Sequence, residues 1–142
     1  MTIRVLIVDD HTIVRTGLRA LIKGEAGMEL VGEATCGEEA LQMAQALRPD
    51  VMVLDLSLPD LDGIQVTRKI KREQPDLHVL ILTVHEDEAL LREAIRAGAS
   101  GYIIKHAAES ELIVLPAASS IVAVRSRVAP EVRSALEPLR AT

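Results

Sequence analysis

Ile3-Arg4-Val5-Leu6-Ile7-Val8 is a nearly unbroken apolar run, rich in β-branched residues, that ends on two carboxylates, Asp9 and Asp10. A strand with one wet face alternates polar and apolar side chains. A run without that alternation predicts a strand covered on both faces, as in a parallel sheet. Three later stretches have the same form. Val51 to Leu54 leads to Asp55, His78 to Leu82 leads to Thr83, and Gly101 to Ile104 leads to Lys105. Met28 to Ala34 is a further strand candidate.

Segments of helical period lie between these runs. Ile13, Val14, Gly17, Leu18, Leu21 and Ile22 form the first, with Thr12 as candidate N-cap and Gly24 and Gly27 as stops. Ala40, Leu41, Ala44 and Leu47 mark the second, broken by Arg48-Pro49-Asp50. Ile64, Thr67 and Ile70 share one face of the third, which closes near Pro75. The fourth runs from Glu86 to Ala97, with Gly98 as its C-terminal cap. Regular alternation of strand and helix predicts an α/β fold, a doubly wound five-stranded parallel sheet with helices on both faces. Ligands of such sheets sit beyond the carboxyl ends of the strands. Asp9, Asp10, Asp55, Thr83 and Lys105 are therefore expected at one edge.

The 142 residues suit one domain, and 49% of them are hydrophobic, enough for a core at this size. That core has to be aliphatic, because the chain has no Phe or Trp and Tyr102 is its one aromatic residue. A net charge of −5 argues against broad, sequence-independent nucleic-acid binding, which needs a clustered basic surface. With Cys36 as the one cysteine, no intrachain disulfide can form, in keeping with a reducing compartment. The N-terminus does not read as a signal peptide, and no apolar stretch reaches the roughly 20 residues of a membrane span. The expectation is a soluble, cytoplasmic protein.

Carboxylates gathered at one sheet edge repel each other and are best accommodated around a divalent cation. A few hard oxygen donors with room for water suit Mg2+. A carboxylate beside such an ion can attack phosphorus and form an acyl phosphate. Lys105 would neutralise charge on the transferring group, and the Thr83 hydroxyl would donate to one of its oxygens. Each residue alone has a plainer reading: Asp9-Asp10 as a solvated turn that caps a helix, Asp55 as a loop acid, Thr83 as a strand-end residue, Lys105 as surface charge. The joint placement at the ends of four strands favours the phosphoryl-acceptor reading.

The motifs VLIVDDH at 5–11, VLDLSLPDLDG at 53–63, ILT at 81–83 and GYIIKHAAESEL at 101–112 resemble the receiver domain of bacterial two-component response regulators. The resemblance covers Ile3 to about Leu112. The DDH opening and the GYIIK and ESEL segments look most like the NarL/FixJ subfamily, whose full-length members carry a LuxR-type helix-turn-helix. The resemblance implies a flavodoxin-like fold of five strands and five helices. It implies Asp55 as phosphoacceptor, and Asp9, Asp10, Asp55 and the Ser57 main-chain carbonyl as Mg2+ ligands. Lys105 would contact the phosphoryl group, Thr83 would be the switch hydroxyl and Tyr102 the switch aromatic. The phosphodonor would be the phosphohistidine of a sensor kinase. Tyr102 also admits a plain packing role. His11 reads as a loop residue that could tune the acidic pair, and His85 as one that could affect access of water or of a phosphatase. Gly63 and Pro59 read as loop geometry.

The sequence departs from this pattern in three places. Val84 stands where the family has a small residue beside the phosphoryl pocket, so Val84→Ala is expected to change the dephosphorylation rate. His106 stands where many receivers have Pro. The third departure is the tail. Pro116 falls inside the expected fifth helix, where it would cost about 3 kcal/mol, Ala108 cannot cap, and Leu112 to Val124 carries no charge. Ile121 to Val128 looks more like a strand, and Val128 to Leu139 recovers a helical pattern with Pro130 near its start. The first expectation is a short fifth helix followed by an irregular linker. A strand paired with another chain, as in a homodimer, and altered sequence that forms no native element are the alternatives. Residues 1–115 would then be the receiver and 116–142 an atypical C-terminal segment without a helix-turn-helix, so that DNA is reached only through an output domain outside these residues. A stand-alone receiver working by protein contacts is the nearest alternative function. A Mg2+-dependent phosphatase of the haloacid dehalogenase type would need an Asp-x-Asp motif after the first strand. A flavin module would need a phosphate cradle that the acidic rim does not provide.

Overall fold

The computed structural model describes residues 2–24, 26–83, 88–106, 111–116 and 124–125. The order is β1 (Ile3–Val8), α1 (Thr12–Lys23), β2 (Met28–Ala34), α2 (Gly37–Leu47), β3 (Val51–Asp55), α3 (Gly63–Glu73), β4 (His78–Thr83), α4 (Glu88–Arg96), β5 (Gly101–His106), β6 (Glu111–Pro116) and β7 (Val124–Arg125). They form one sheet in the order β2-β1-β3-β4-β5-β6-β7. The first five strands are parallel, as expected from the buried runs.

Successive strand residues point to opposite faces, and that period separates two cores. Leu6, Val8, Met52, Leu54, Val79 and Ile81 pack on one face with Ala40 and Ala44 of α2, Ile64 and Ile70 of α3 and Ala94 of α4. Val5, Ile7, Val51, Val53, Leu80 and Leu82 face the other way, with Leu18 and Ile22 of α1. The strands read as unbroken apolar runs because both faces are filled. Among the described residues the buried side chains of the two hydrophobic clusters are aliphatic, apart from Met52 on the first face.

The C-terminal part differs from expectation. Glu111–Pro116 is a strand, antiparallel to β5 from His106↔Glu111 to Gly101↔Pro116, where a shortened fifth helix followed by a linker was expected. Among the described residues the sheet has seven strands, the first five of them parallel. The physical reason lies in Leu112-Ile113-Val114-Leu115, which favours a pleated, half-buried surface. Pro116 ends the strand, a position where proline is tolerated. Strand pairing with another chain is the alternative expectation for this segment; β6 instead pairs with β5 of the same chain, and Val124–Arg125 adds a short outer strand on β6. The helical pattern over 128–139 lies outside the described residues.

Local punctuation also moves. Thr12 is the first residue of α1, and His11 is its N-cap, without a side-chain cap bond. Gly98, at φ +112°, closes α4 in the left-handed conformation as expected. The described part of α4 begins at Glu88, and Glu86 lies outside the described residues. No helix among the described residues is long and apolar enough to cross a membrane.

Candidate functional site

Strand register brings the predicted residues together. Val8 pairs with Leu54, so Asp9 and Asp55 follow side by side at the carboxyl ends of β1 and β3. Asp55 pairs with Leu82, so Thr83 comes next on β4. Thr83 pairs with Ile104, and Lys105 follows it on β5. The chain leaves β1 toward β2 on one side and reaches β3 on the other, which makes the β1/β3 crevice the topological switch point of the sheet.

Asp9 is 0% exposed, and Asp55 and Thr83 are also buried, whereas Asp10 is exposed. Buried carboxylates need strong compensation. Asp9 Oδ1 accepts the His11 main-chain N–H at 2.8 Å, and Asp55 Oδ1 accepts the Ser57 N–H at 3.1 Å. The His11 imidazole Nδ1 lies 3.0 Å from Asp9 Oδ1, 3.1 Å from Asp10 Oδ1 and 3.9 Å from Asp55 Oδ2. One donor atom from each of Asp9, Asp10, His11 and Asp55 falls within 4.8 Å of every other, close enough to share one metal ion.

The loops that carry these groups are tied down from a distance. The Arg15 guanidinium donates to the Asp9 carbonyl at 2.7 Å, and its Nε is 3.4 Å from Glu33. Arg19 meets Glu33 through two bonds of 2.8 and 2.9 Å. The Arg19 hydrogen bond holds Glu33 below the usual carboxylate range, against the opposing effect of burial. On the other side, the β3–α3 loop reaches α2. Asp60 accepts the Gly37 and Glu38 main-chain N–H groups at 2.7 and 2.9 Å. These bonds, that of Glu38 first, lower the Asp60 pKa to about 2 and serve a helix start whose own N-cap, Cys36, makes no side-chain cap bond. Gly63 opens α3 against the end of β3, where its N–H donates to the Leu56 carbonyl at 2.9 Å, and Asp62 caps the helix through Gln65 N–H.

Sequence reasoning undervalued His11, which stands among the carboxylates, and missed Arg15 and Asp60. The adjacency of His11 to the acidic pair was its signal. The weak cap at Cys36-Gly37 was the signal that α2 borrows a partner from elsewhere. Val84 and His85 lie outside the described residues. Tyr102 and Lys105 are placed here only by the backbone of β5.

The response regulator receiver domain model matches residues 5–115, well over half of the chain. The chain belongs to the response regulator receiver family. The receiver is 41% identical over 111 residues to the response regulator GacA of Pseudomonas aeruginosa, covering 78% of this chain and 52% of that protein. It superimposes on a LuxR-family two-component response regulator from Aurantimonas sp. with TM-score 0.71 and 40% identity, over 77% of this chain and 79% of that one. It also superimposes on a chain of the CheX–CheY–BeF3–Mg2+ complex from Borrelia burgdorferi with TM-score 0.70 and 27% identity, over 73% and 78%. These relatives place the receiver with the NarL/FixJ subfamily and confirm the flavodoxin-like fold. The chain spans about half the length of the curated relatives it matches.

Proposed function

We propose that this receiver accepts a phosphoryl group on Asp55 and changes conformation in response. The observation that carries the reading is the gathering of Asp9, Asp10 and Asp55 at the β1/β3 switch point, two of them buried. Such a donor set fits Mg2+, with Asp9, Asp10, Asp55 and the Ser57 carbonyl as protein ligands, because hard oxygens with open positions are what that ion takes. When bound, the ion would neutralise charge on the phosphoryl oxygens.

A carboxylate oxygen of Asp55 forms the new bond to phosphorus. The bond from phosphorus to the histidine nitrogen of a sensor kinase breaks, and that nitrogen keeps the electron pair. Ser57 N–H holds Asp55 through Oδ1, while Oδ2 stands 3.9 Å from His11 Nδ1. Lys105 serves as the cation for the acyl phosphate, and Thr83 donates its hydroxyl to a phosphoryl oxygen. The movement of Thr83 toward the phosphate is coupled to Tyr102, which occupies the position paired with Ile81 on the neighbouring strand. Val84 and His85 tune access. The chain turns over no separate substrate in this reading; the chemistry is its own phosphorylation and dephosphorylation.

Curated response regulators about twice as long, and the LuxR-family neighbour, support a role as the receiver part of a transcription regulator. In this reading residues 1–115 are the N-terminal receiver, 116–142 an atypical C-terminal segment, and the protein is cytoplasmic. DNA would be contacted only through an output domain, and a homodimer is the assembly proposed for it. The test is incorporation from acetyl phosphate followed on a phosphate-retarding gel. Label in the wild type, lost with EDTA and in Asp55→Asn, is expected. Equal label in Asp55→Asn, or none in a folded wild type that binds Mg2+, would overturn the proposal.

A further inference from the structure

We propose that His11 is a nitrogen donor of the acidic site, so that this receiver binds a first-row transition ion such as Ni2+ or Co2+ more tightly than Mg2+. The inference rests on the metal-site reading above and concerns which ions that site takes. An octahedral ion with bonds of about 2.1 Å sets neighbouring donors about 3.0 Å apart and opposite donors about 4.2 Å apart. His11 Nδ1 stands 3.0 and 3.1 Å from Asp9 Oδ1 and Asp10 Oδ1; it is hydrogen-bonded to Asp9 by a proton that an incoming ion would displace, and the same distances are the spacing of neighbouring donors. Its 3.9 Å to Asp55 Oδ2 lies between the two spacings.

The imidazole is held there by its backbone. His11 N–H is bonded to Asp9 Oδ1, the His11 carbonyl receives Arg15 N–H at 3.1 Å, and the Arg15 guanidinium grips the Asp9 carbonyl. At 63% exposure, the His11 side chain leaves the site open to incoming ions and water. Magnesium gains little from a nitrogen donor, whereas imidazole suits the later divalent ions and their affinities climb along the first row to copper. Three carboxylates and an imidazole are therefore a mixed site, not an all-oxygen one.

The experiment titrates the chain with Ni2+ alone and with Mg2+ alone by calorimetry, at about pH 8, well above the ordinary histidine pKa. Wild type, His11→Ala and Asp10→Ala are compared, and only Ni2+ that excess Mg2+ displaces is counted. Co2+ gives a second readout through paramagnetically shifted imidazole protons. The expected result is tighter Ni2+ than Mg2+ binding in the wild type. His11→Ala should then weaken Ni2+ by at least about tenfold, with Mg2+ nearly unchanged and the shifted His11 protons gone. His11→Ala that changes both ions by the same factor, or neither, overturns the proposal and leaves the metal site standing. A wild type that binds neither ion, or an Asp10→Ala variant that binds both as before, overturns the metal-site reading itself and this inference with it.

Discussion

Two glycine-to-alanine substitutions should move stability in opposite directions. A Cβ on Gly63 would stand 2.8 Å from the Asp55 carbonyl oxygen and 2.9 Å from the Leu56 Cα. Carbon atoms rest about 3.5–4.0 Å apart, so the end of β3 or the start of α3 has to yield by about half an ångström or more. Neither can do so freely. Leu56 N–H is bonded to the Leu82 carbonyl at 2.9 Å, and Gly63 N–H to the Leu56 carbonyl at the same distance. Overpacking of this kind costs about 1–3 kcal/mol. The helix preference of Ala over Gly returns at most about 1 kcal/mol, and less at the first position of a helix. Gly63→Ala should therefore lose about 1–2 kcal/mol. Gly17 lies on the exposed face of α1 with nothing within 4 Å of a new Cβ, so Gly17→Ala should gain about 0.5–1 kcal/mol. Urea unfolding of both variants, with unchanged slope, reads the two numbers directly. A Gly63→Ala protein as stable as wild type would refute the close-approach argument. A destabilised Gly17→Ala protein would refute the assignment of that position as open helix surface.

Three further outcomes follow from the packing and the charges. Asp60→Ala should be less stable than wild type at neutral pH. Because the folded pKa of about 2 lies below the unfolded value, the carboxylate's contribution is complete above roughly pH 4 and lost as pH falls toward 2; urea unfolding across that range should show the gap closing. Glu33→Gln removes the charge that pairs with Arg15 and Arg19, and one of the two acceptor oxygens, and should cost about 0.5–1 kcal/mol at pH 7 and low salt. Since Glu33 is also held below its usual range, that gap should shrink in acid and in high salt, and a gap that widens in either would contradict the ion-pair account. Ile81→Ala, at a fully buried position of β4, should lose about 2–5 kcal/mol by chemical denaturation.

The parallel core and the carboxylate edge were legible because their causes are local. Apolar runs covered on both faces set the strands, and the register of those strands carries Asp9, Asp55, Thr83 and Lys105 to one edge. Asp60 was not legible, since a cap supplied from 23 residues away leaves only a missing local cap near Cys36. Arg15 escaped notice because its partner is a main-chain carbonyl, which no side-chain pattern records. The tail was half legible. Pro116 and the uncharged, β-branched stretch argued against a full fifth helix. The antiparallel return onto β5 depends on a tertiary pairing that periodicity does not encode.

The central claim is that Asp55 is the phosphoacceptor. The most direct test is borohydride reduction of the chain after incubation with acetyl phosphate and Mg2+, followed by peptide mass spectrometry. Borohydride converts an acyl phosphate to an alcohol and leaves free carboxylates alone, so the account predicts homoserine at position 55 and unmodified Asp9 and Asp10. Reduction at either of those two carboxylates, or at none in a folded chain that binds Mg2+, would contradict it.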